Sequence, residues 1–174
     1  MTSWRNKDLN KANRGTELEE MIMRTNQRYR FLESAVVHKI PTPVKVLNVT
    51  QSGKITDGYY EKKSTVDFEG NIEGGRSVAF EAKQTNIKTR FDLSNIDKHQ
   101  REYLELHQKT GGISFVIVRF TKLQEIYYLP YDELHRWQYE ESRKSIPYDA
   151  FEHRIRADGL KEVDYLTKIK ELEG

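Results

Sequence analysis

The spacing of apolar residues changes along the chain, and each spacing predicts a type of element. Helical spacing begins near Thr16, where "TELE" (residues 16–19) has the form of a capping box. The residues that then recur at helical intervals are Leu18, Ile22, Thr25 and Tyr29. We therefore predict a first helix from about residue 16, preceded by a polar, frayed segment over residues 1–13.

Partial alternation, which is typical of strands, follows over residues 44–49 and 55–60. The turn signal "QSGK" (51–54) lies between the two runs and predicts a hairpin. Pro41 and Pro43 cannot donate to a strand ladder, so they mark an edge or an entry segment. The region is rich in lysine and poor in bulky apolar residues, so we expect the hairpin to project. The alternative is an ordinary exposed hairpin with solubilising lysines.

The rest of the chain alternates between strand and helix patterns. We predict two strands within residues 64–83, joined by a turn over Glu69–Gly75. A helix over 95–110 has a start signal at Ser94 and Asp97 and a stop at Gly111-Gly112. The further predicted elements are a strand covered on both faces (113–120), a strand closed by Pro130 (125–130) and a short helix (131–141). This order predicts an α/β fold, in which helices flank a mixed central β-sheet and a β-hairpin projects.

Composition narrows the class of protein. A chain of 174 residues is long enough for one domain with a substantial core. The absence of cysteine excludes disulfides and zinc–thiolate sites. No apolar run is long enough to cross a bilayer, and the N-terminus lacks the apolar stretch of a secretion signal. We therefore expect a soluble, cytoplasmic protein with no membrane partner.

Charge is unevenly distributed. Residues 1–63 carry a net charge of +5 and residues 64–174 a net charge of −3. A basic N-terminal part and an acidic C-terminal part are compatible with an anionic polymer that binds on one side of the protein. The alternative is the ordinary fluctuation of charge along any chain. Glu17, Glu19 and Glu20 fall in the first turn of the predicted first helix. There they either compensate the helix dipole or take part in catalysis.

Candidate chemistry lies in the strand "RSVAFEAKQT" (76–85). Side chains alternate across a strand, so Glu81 and Lys83 share one face. With Asp67 they form the pattern D…E-x-K, in which two carboxylates hold Mg²⁺ or Mn²⁺ and a lysine offsets charge during phosphodiester hydrolysis. The alternative is a surface salt bridge between Glu81 and Lys83. Their place within an apolar strand favours the first interpretation.

A further polar residue interrupts the apolar stripe of the 95–110 helix. The stripe consists of Ile96, Gln100, Tyr103 and His107. The amide of Gln100 could reach the ligands of a bound metal. On spacing alone, a buried glutamine with an ordinary hydrogen-bonding role is an equally good interpretation. We expect His99 on the flank of the helix and do not predict it as a ligand.

Together these motifs resemble the RecU family of Holliday junction resolvases, within the PD-(D/E)xK nuclease superfamily. The resemblance runs from about Asn13 to Leu166. The stretches that carry it are "NRG" (13–15), "HKIPTPVKVLNV" (38–49), "STVDFEG" (64–70), "GRSVAFEAKQT" (75–85), "FDLSNIDKHQ" (91–100), "GGISFVIV" (111–118) and "RKSI" (143–146). Two features depart from the pattern: the hairpin is short, and Gln84 stands where an acidic residue is common.

The resemblance implies a restriction-endonuclease-like fold, with one nuclease domain over residues 1–174 and a stalk hairpin over 38–62. The magnesium-site residues that it implies are Thr65, Asp67, Glu81 and Gln100, and Mn²⁺ is expected to substitute. Lys83 corresponds to the lysine that stabilises the transition state, so the catalytic set is Asp67, Glu81 and Lys83. The implied partners are four-way junction DNA, a second copy in a homodimer and the strand-exchange recombinase.

The implied reaction is resolution of the junction by paired symmetric nicks, in recombination and repair. The residues predicted to contact DNA are Arg14, Lys39, Lys45, Lys54, Tyr59, Tyr60, Lys62 and Lys63. The tyrosines either stack on unpaired bases or pack within the hairpin. Two other functions stay open: a nuclease for other branched or duplex DNA, and a non-catalytic module that binds DNA or modulates a recombinase.

Overall fold

A computed structural model describes residues 5–60 and 65–173 of the chain. The helices are α1 (Arg5–Phe31), α2 (Lys98–Lys109), α3 (Tyr131–His135) and α4 (Tyr165–Glu173). The strands are β1 (Ala35–Lys39), β2 (Val44–Val49), β3 (Ile55–Tyr60), β4 (Phe68–Ile72), β5 (Ser77–Thr85), β6 (Arg90–Asp92), β7 (Ile113–Phe120), β8 (Glu125–Pro130), β9 (Ser145–Pro147) and β10 (Arg154–Ile155). A π-helical turn over Arg136–Glu140 continues α3, as expected for a short helix there.

The central sheet has the strand order β1-β4-β5-β7-β8-β10. Strands β5 and β7 are parallel and the other neighbours are antiparallel, so the predicted mixed sheet is confirmed. Helices α1 and α4 cover one face through residues such as Ile22 and Tyr165. Helices α2 and α3 cover the other through Leu104 and Leu134. The predicted α/β class with flanking helices is therefore correct.

Strand β5 carries the polar pair of interest through the middle of this core. Phe80 stacks between Phe68 and Phe115, with ring centroids 5.0 and 4.5 Å away. Every residue of β7 is buried, which confirms a strand covered on both faces. Glu81 and Lys83 project toward the α2 side, opposite Phe80, because side chains alternate along the strand.

The start of the first helix was predicted wrongly. Helix α1 begins at Arg5, so Thr16 and Glu19 lie in its interior and cannot cap it. Residues 5–15 contain no proline and several good helix formers, which allow the helix to extend toward the N-terminus. The turn between β4 and β5 is also shorter than predicted: it occupies residues 73–76, because β4 pairs as far as Ile72 with β1.

The second helix starts at Lys98 rather than near residue 95, and its N-cap is Asp97, one of the two predicted start signals. Residues 90–92 form β6, which pairs with β9, and residues 93–95 form a 3-10 turn. The predicted glycine stop is correct, since Gly111 adopts a φ of 93°. Sequence patterns do not reveal a pairing with a strand more than 50 residues away.

The carboxyl end of α2 is anchored to the sheet through His107. Its Nδ1 lies 2.8 Å from Ser114 Oγ on β7, and its Nε2 lies 3.1 Å from Ser77 Oγ on β5. A Cβ atom at Gly112 would lie 2.2 Å from the imidazole, so only glycine fits there. This anchor sets the position of α2, and with it the position of Gln100 at the other end.

The C-terminal part, which the sequence pattern left unassigned, closes over α1. Tyr29 donates a hydrogen bond from its hydroxyl to Asp164 Oδ1 (2.6 Å), and Tyr165 donates to Asn26 Oδ1 (2.7 Å). Both tyrosines are buried. Among the helices of the described residues, none has the length and apolar character to cross a membrane.

The predicted hairpin is present as β2 and β3, which form a two-stranded sheet of their own. All six residues of β2 are exposed, including Val46 and Leu47. Lys45 pairs across the hairpin with Tyr59, which is also exposed. Among the described residues, the hairpin therefore shares no ladder with the six-stranded sheet, and its side chains form no buried core.

Candidate active site

The two acidic residues of the D…E-x-K pattern meet at the edge of β5. Strand β4 begins at Phe68, opposite Phe80, so Asp67 lies just outside it, next to Glu81. The Asp67 N–H donates to Glu81 Oε2 (3.1 Å), and the Ala82 N–H donates to Asp67 Oδ2 (3.0 Å). These reciprocal bonds fix both carboxylates on the same site, where the β4 side of β5 is no longer paired with a strand.

Glu81 is the most buried acid of the site, with 1% of its surface exposed. Its Oε1 lies 2.7 Å from Lys83 Nζ and accepts a 2.6 Å hydrogen bond from Gln100 Nε2. Burial raises the pKa of Glu81 to about 8; repulsion from Asp67 adds to the rise and Lys83 opposes it. In this environment a nearby cation stabilises the charged form of the Glu81 carboxylate.

Gln100 is fixed by two bonds at the start of α2. Its Oε1 accepts the N–H of Asp97 (2.9 Å), which is the side-chain half of a capping box. Its Nε2 is thereby directed at Glu81. In this arrangement Gln100 orients the acid, and its service as a metal ligand would require the amide oxygen to leave Asp97.

A surface cavity of about 680 Å³ opens over these residues. Its walls come from β5 (residues 81–85), the 86–100 segment and α1. The polar side chains on its walls include Glu19, Thr42, Asp67, Glu81, Lys83, Gln84, Asp92, Asn95, Asp97, His99 and Gln100. The predicted catalytic residues Asp67, Glu81 and Lys83 thus share one cavity that is open to a large substrate.

Thr65, predicted as a fourth metal-site residue, is placed differently. It is exposed, its Oγ1 lies 3.5 Å from Glu69 Oε1, and it does not belong to the described lining of the cavity. Asp67, Glu81, Lys83 and Gln100 therefore share the cavity, and the role of Thr65 stays a prediction.

The residues fit a hard divalent cation held by few protein ligands. Within the described residues no group of three or more His, Cys, Asp or Glu side chains is arranged to hold a metal. Two carboxylates in contact are nevertheless what Mg²⁺ uses when substrate phosphate and water complete its octahedron. Repulsion between Asp67 and Glu81 contributes to the raised pKa of Glu81. A cation bound between the two carboxylates would relieve that repulsion.

The predicted DNA contacts divide into three groups. Lys45, Lys54 and Tyr59 are exposed on the hairpin. Lys39 is exposed at the end of β1, at the base of the hairpin. Lys62, Lys63 and the side chains of Arg14 and Tyr60 lie outside the described part of the chain, so these four predictions stay predictions.

Two side chains outside the predicted metal and catalytic set also line the cavity. Glu19 belongs to the cavity wall, and so does His99, which was expected on the flank of its helix. The signal for Glu19 was its position three residues before the buried Ile22, at the border of the apolar stripe. No comparable signal marks His99.

Behind the cavity, a buried arginine joins α1 to the end of the sheet. Arg119 on β7 donates to Glu17 Oε1 (3.0 Å), Gln84 Oε1 (3.3 Å) and Gln124 Oε1 (3.2 Å). Hydrogen bonding to Arg119 lowers the pKa of Glu17. The Gln84 position that departs from the family pattern therefore serves as an acceptor for a buried cation.

Known proteins resemble this chain over nearly its whole length. The family model described as Recombination protein U matches residues 13–171. A protein named Holliday junction resolvase RecU from Geobacillus sp. (strain WCH70) is 37% identical over 173 residues, which cover 94% of this chain and 86% of the relative. Proteins of the same name from Oceanobacillus iheyensis and Oenococcus oeni are 38% and 35% identical, and the alignments cover 92% and 97% of this chain and 87% and 90% of those relatives.

Proposed function

Because the chain belongs to the Recombination protein U family, we propose that it is an endonuclease that resolves four-way DNA junctions. The curated relatives carry the name Holliday junction resolvase. The observation that supports the same activity here is the contact between Asp67 and Glu81, beside Lys83, in an open cavity. This set matches the needs of metal-assisted phosphodiester hydrolysis.

Asp67 and Glu81 are the residues that would hold Mg²⁺, and Mn²⁺ is expected to substitute. The chemistry that the ion supplies when bound is polarisation of a phosphoryl oxygen and a lower pKa for the attacking water. The ammonium of Lys83 sits 2.7 Å from Glu81, where it can offset charge on the reacting phosphate. Gln100 holds the Glu81 carboxylate in place through its amide N–H.

The hairpin and its base supply the contacts to the junction. Lys45 and Lys54 present charge to phosphates, and Tyr59 presents an exposed ring for stacking on a base at the crossover. The ammonium of Lys39, at the base of the hairpin, is paired with Glu19. A C2 homodimer would place two cavities against two strands of like sequence and so produce paired nicks. The cytoplasmic location and a contact with the strand-exchange recombinase stay predictions from the sequence.

The test is cleavage of a synthetic four-way junction, with and without Mg²⁺, mapped on all four strands. We expect symmetric nicks in two opposed strands, with a 5′-phosphate at each nick. Without a divalent ion we expect no product. A fork and a linear duplex serve as comparison substrates. Equal cleavage of all three DNAs would favour a general branched-DNA or duplex nuclease. Binding without any cleavage would favour the non-catalytic module.

A further inference from the structure

The acidic run at Glu17, Glu19 and Glu20 has no role at a helix terminus. Since α1 begins at Arg5, these acids lie far beyond the first turn, where the dipole favours negative charge. Glu17 is accounted for by Arg119, and Glu20 is exposed. Glu19 belongs to the wall of the cavity that contains Asp67 and Glu81. A carboxylate in that position requires a separate explanation.

The partner of Glu19 is the last residue of β1. Lys39 Nζ forms an ion pair with Glu19 Oε2, across 20 residues of chain. The Glu19 side chain is 18% exposed and the Lys39 side chain 38%. The Glu19 end of the pair is shielded from water and the Lys39 end is open to it, so water screens the pair less than one in open solvent and more than a buried one. The pair therefore ties α1 to the point where the chain leaves the sheet.

The segment that follows Lys39 is bound to the catalytic acid itself. The Ile40 N–H donates to the backbone carbonyl of Asp67, with an N···O distance of 2.8 Å. Two residues later Thr42 belongs to the cavity wall, and β2 of the hairpin starts at Val44. The base of the hairpin is thus one wall of the cavity, held by Asp67 on one side and by Glu19 on the other.

We propose that the Glu19–Lys39 ion pair is a specificity-determining contact that couples the hairpin to the catalytic cavity. It holds the hairpin base against Asp67, so DNA that engages the hairpin also sets the geometry at the acid. Glu19 is then a positioning residue that acts through Lys39. The inference rests on the proposed function and deepens it, because the hairpin determines which DNA is cut.

A double-mutant cycle on cleavage tests this coupling. The variants are Glu19→Gln, Lys39→Gln and the two combined, with Glu20→Gln as the matched control on the exposed side of the same turn. The measured quantity is the ratio of single-turnover rates on a four-way junction and on linear duplex, in Mg²⁺. We expect each single variant to lower this ratio about tenfold and the double variant to be no worse than the more affected single variant.

The proposal would be overturned if the loss in the double variant equalled the product of the losses in the two single variants. That result would mean that Glu19 acts on the metal or the substrate directly and that Lys39 acts elsewhere. An unchanged ratio in Glu19→Gln would overturn it as well.

A second measurement does not depend on cleavage. Hydrogen exchange at the Ile40 amide reports whether the hairpin base stays on Asp67. We expect faster exchange at Ile40 in Glu19→Gln and Lys39→Gln, and the wild-type rate in Glu20→Gln. Unchanged exchange at Ile40 in Glu19→Gln would refute the link. If wild-type protein cut neither DNA, the proposed function would fail, while the exchange at Ile40 would still decide whether the pair holds the hairpin.

Discussion

Two pairs of strands in this molecule are built in opposite ways. In β5 and β7 most side chains are buried, and β5 carries Glu81 and Lys83 of the cavity. In β2 and β3 the described side chains are exposed, including five aliphatic residues and Tyr59. The first pair is stabilised by burial of apolar surface, which the second pair lacks. The comparison separates two kinds of surface: the buried pair holds Glu81 and Lys83 in fixed positions at the cavity, and the described side chains of the exposed pair are open to solvent.

The largest difference is expected in stability. Phe80→Ala removes a ring stacked between Phe68 and Phe115 and should lower the free energy of unfolding by about 3–5 kcal/mol. Leu47→Ala, its counterpart on the exposed hairpin, should change it by less than about 0.5 kcal/mol. Chemical denaturation of both variants measures these values. A loss at Leu47 as large as that at Phe80 would show that the hairpin is packed in solution.

The next largest effect concerns the rate of cleavage. Asp67→Asn keeps a side-chain acceptor for the Ala82 N–H but removes one of the two charges proposed to hold the metal. We expect the junction to be cut at least about 10²–10³-fold more slowly, the cost of losing one electrostatic contact to a transition state. Binding of the junction, measured by fluorescence anisotropy, should stay near the wild-type affinity. Full activity in Asp67→Asn would remove this acid from the mechanism.

The hairpin should show the reverse behaviour. Tyr59→Ala is expected to weaken junction binding by about 1–3 kcal/mol, the value of one base stacked on an aromatic ring. Tyr139→Ala is the matched control, since Tyr139 is 53% exposed, close to the 50% of Tyr59, but follows α3. Equal effects of the two substitutions would indicate that the hairpin ring has no special contact with DNA.

A pH dependence of stability is expected in the metal-free protein, where no ion offsets the charge of Glu81. The pKa of Glu81 is about 8 in the folded protein and near 4.5 in the unfolded chain, so the native state binds the extra proton between these values. The stability that Glu81 contributes is complete below about pH 4.5 and is lost as the pH rises through about 8. Glu81→Gln should therefore raise the Tm at pH 8.5 in EDTA and give no such gain at pH 4.5.

Thermal unfolding of both proteins at the two pH values measures this difference. An excess of Mg²⁺ should stabilise the wild-type protein but not Glu81→Gln, because the ion favours the charged carboxylate. A gain of the same size at both pH values would show that the substitution acts through packing rather than through the proton.

Periodicity was sufficient to predict the parts of this fold that are governed by local burial. The alternation in residues 76–85 placed Glu81 and Lys83 on one face, and the apolar run of β7 indicated cover on both faces; the structure confirms both. It could not predict the start of α1, because a capping-box pattern is equally compatible with the interior of a helix. It also missed β6, whose partner β9 comes more than 50 residues later.

The candidate site shows the same division. The convergence of Asp67 with Glu81 follows from two strands joined by a turn, and Gln100 was found because it interrupts an apolar stripe. For Glu19 the sequence left helix-dipole compensation and catalysis as alternatives, and the first of these depended on a helix that begins near Thr16. Its ion pair with Lys39 depends on how α1 packs beside β1, which is a tertiary contact with no local signature. Thr65, implied by the family resemblance, is exposed beside Glu69, and its role at the metal stays a prediction.

The most direct test of the central claim is the position of a bound divalent ion. Crystals grown with Mn²⁺ give an anomalous signal that locates the ion without reference to activity. The account predicts a peak within about 2.0–2.6 Å of carboxylate oxygens from both Asp67 and Glu81, the range of hard-cation distances. A strong peak elsewhere would contradict it, if Asp67 and Glu81 then kept only their bonds to backbone N–H groups and to Lys83.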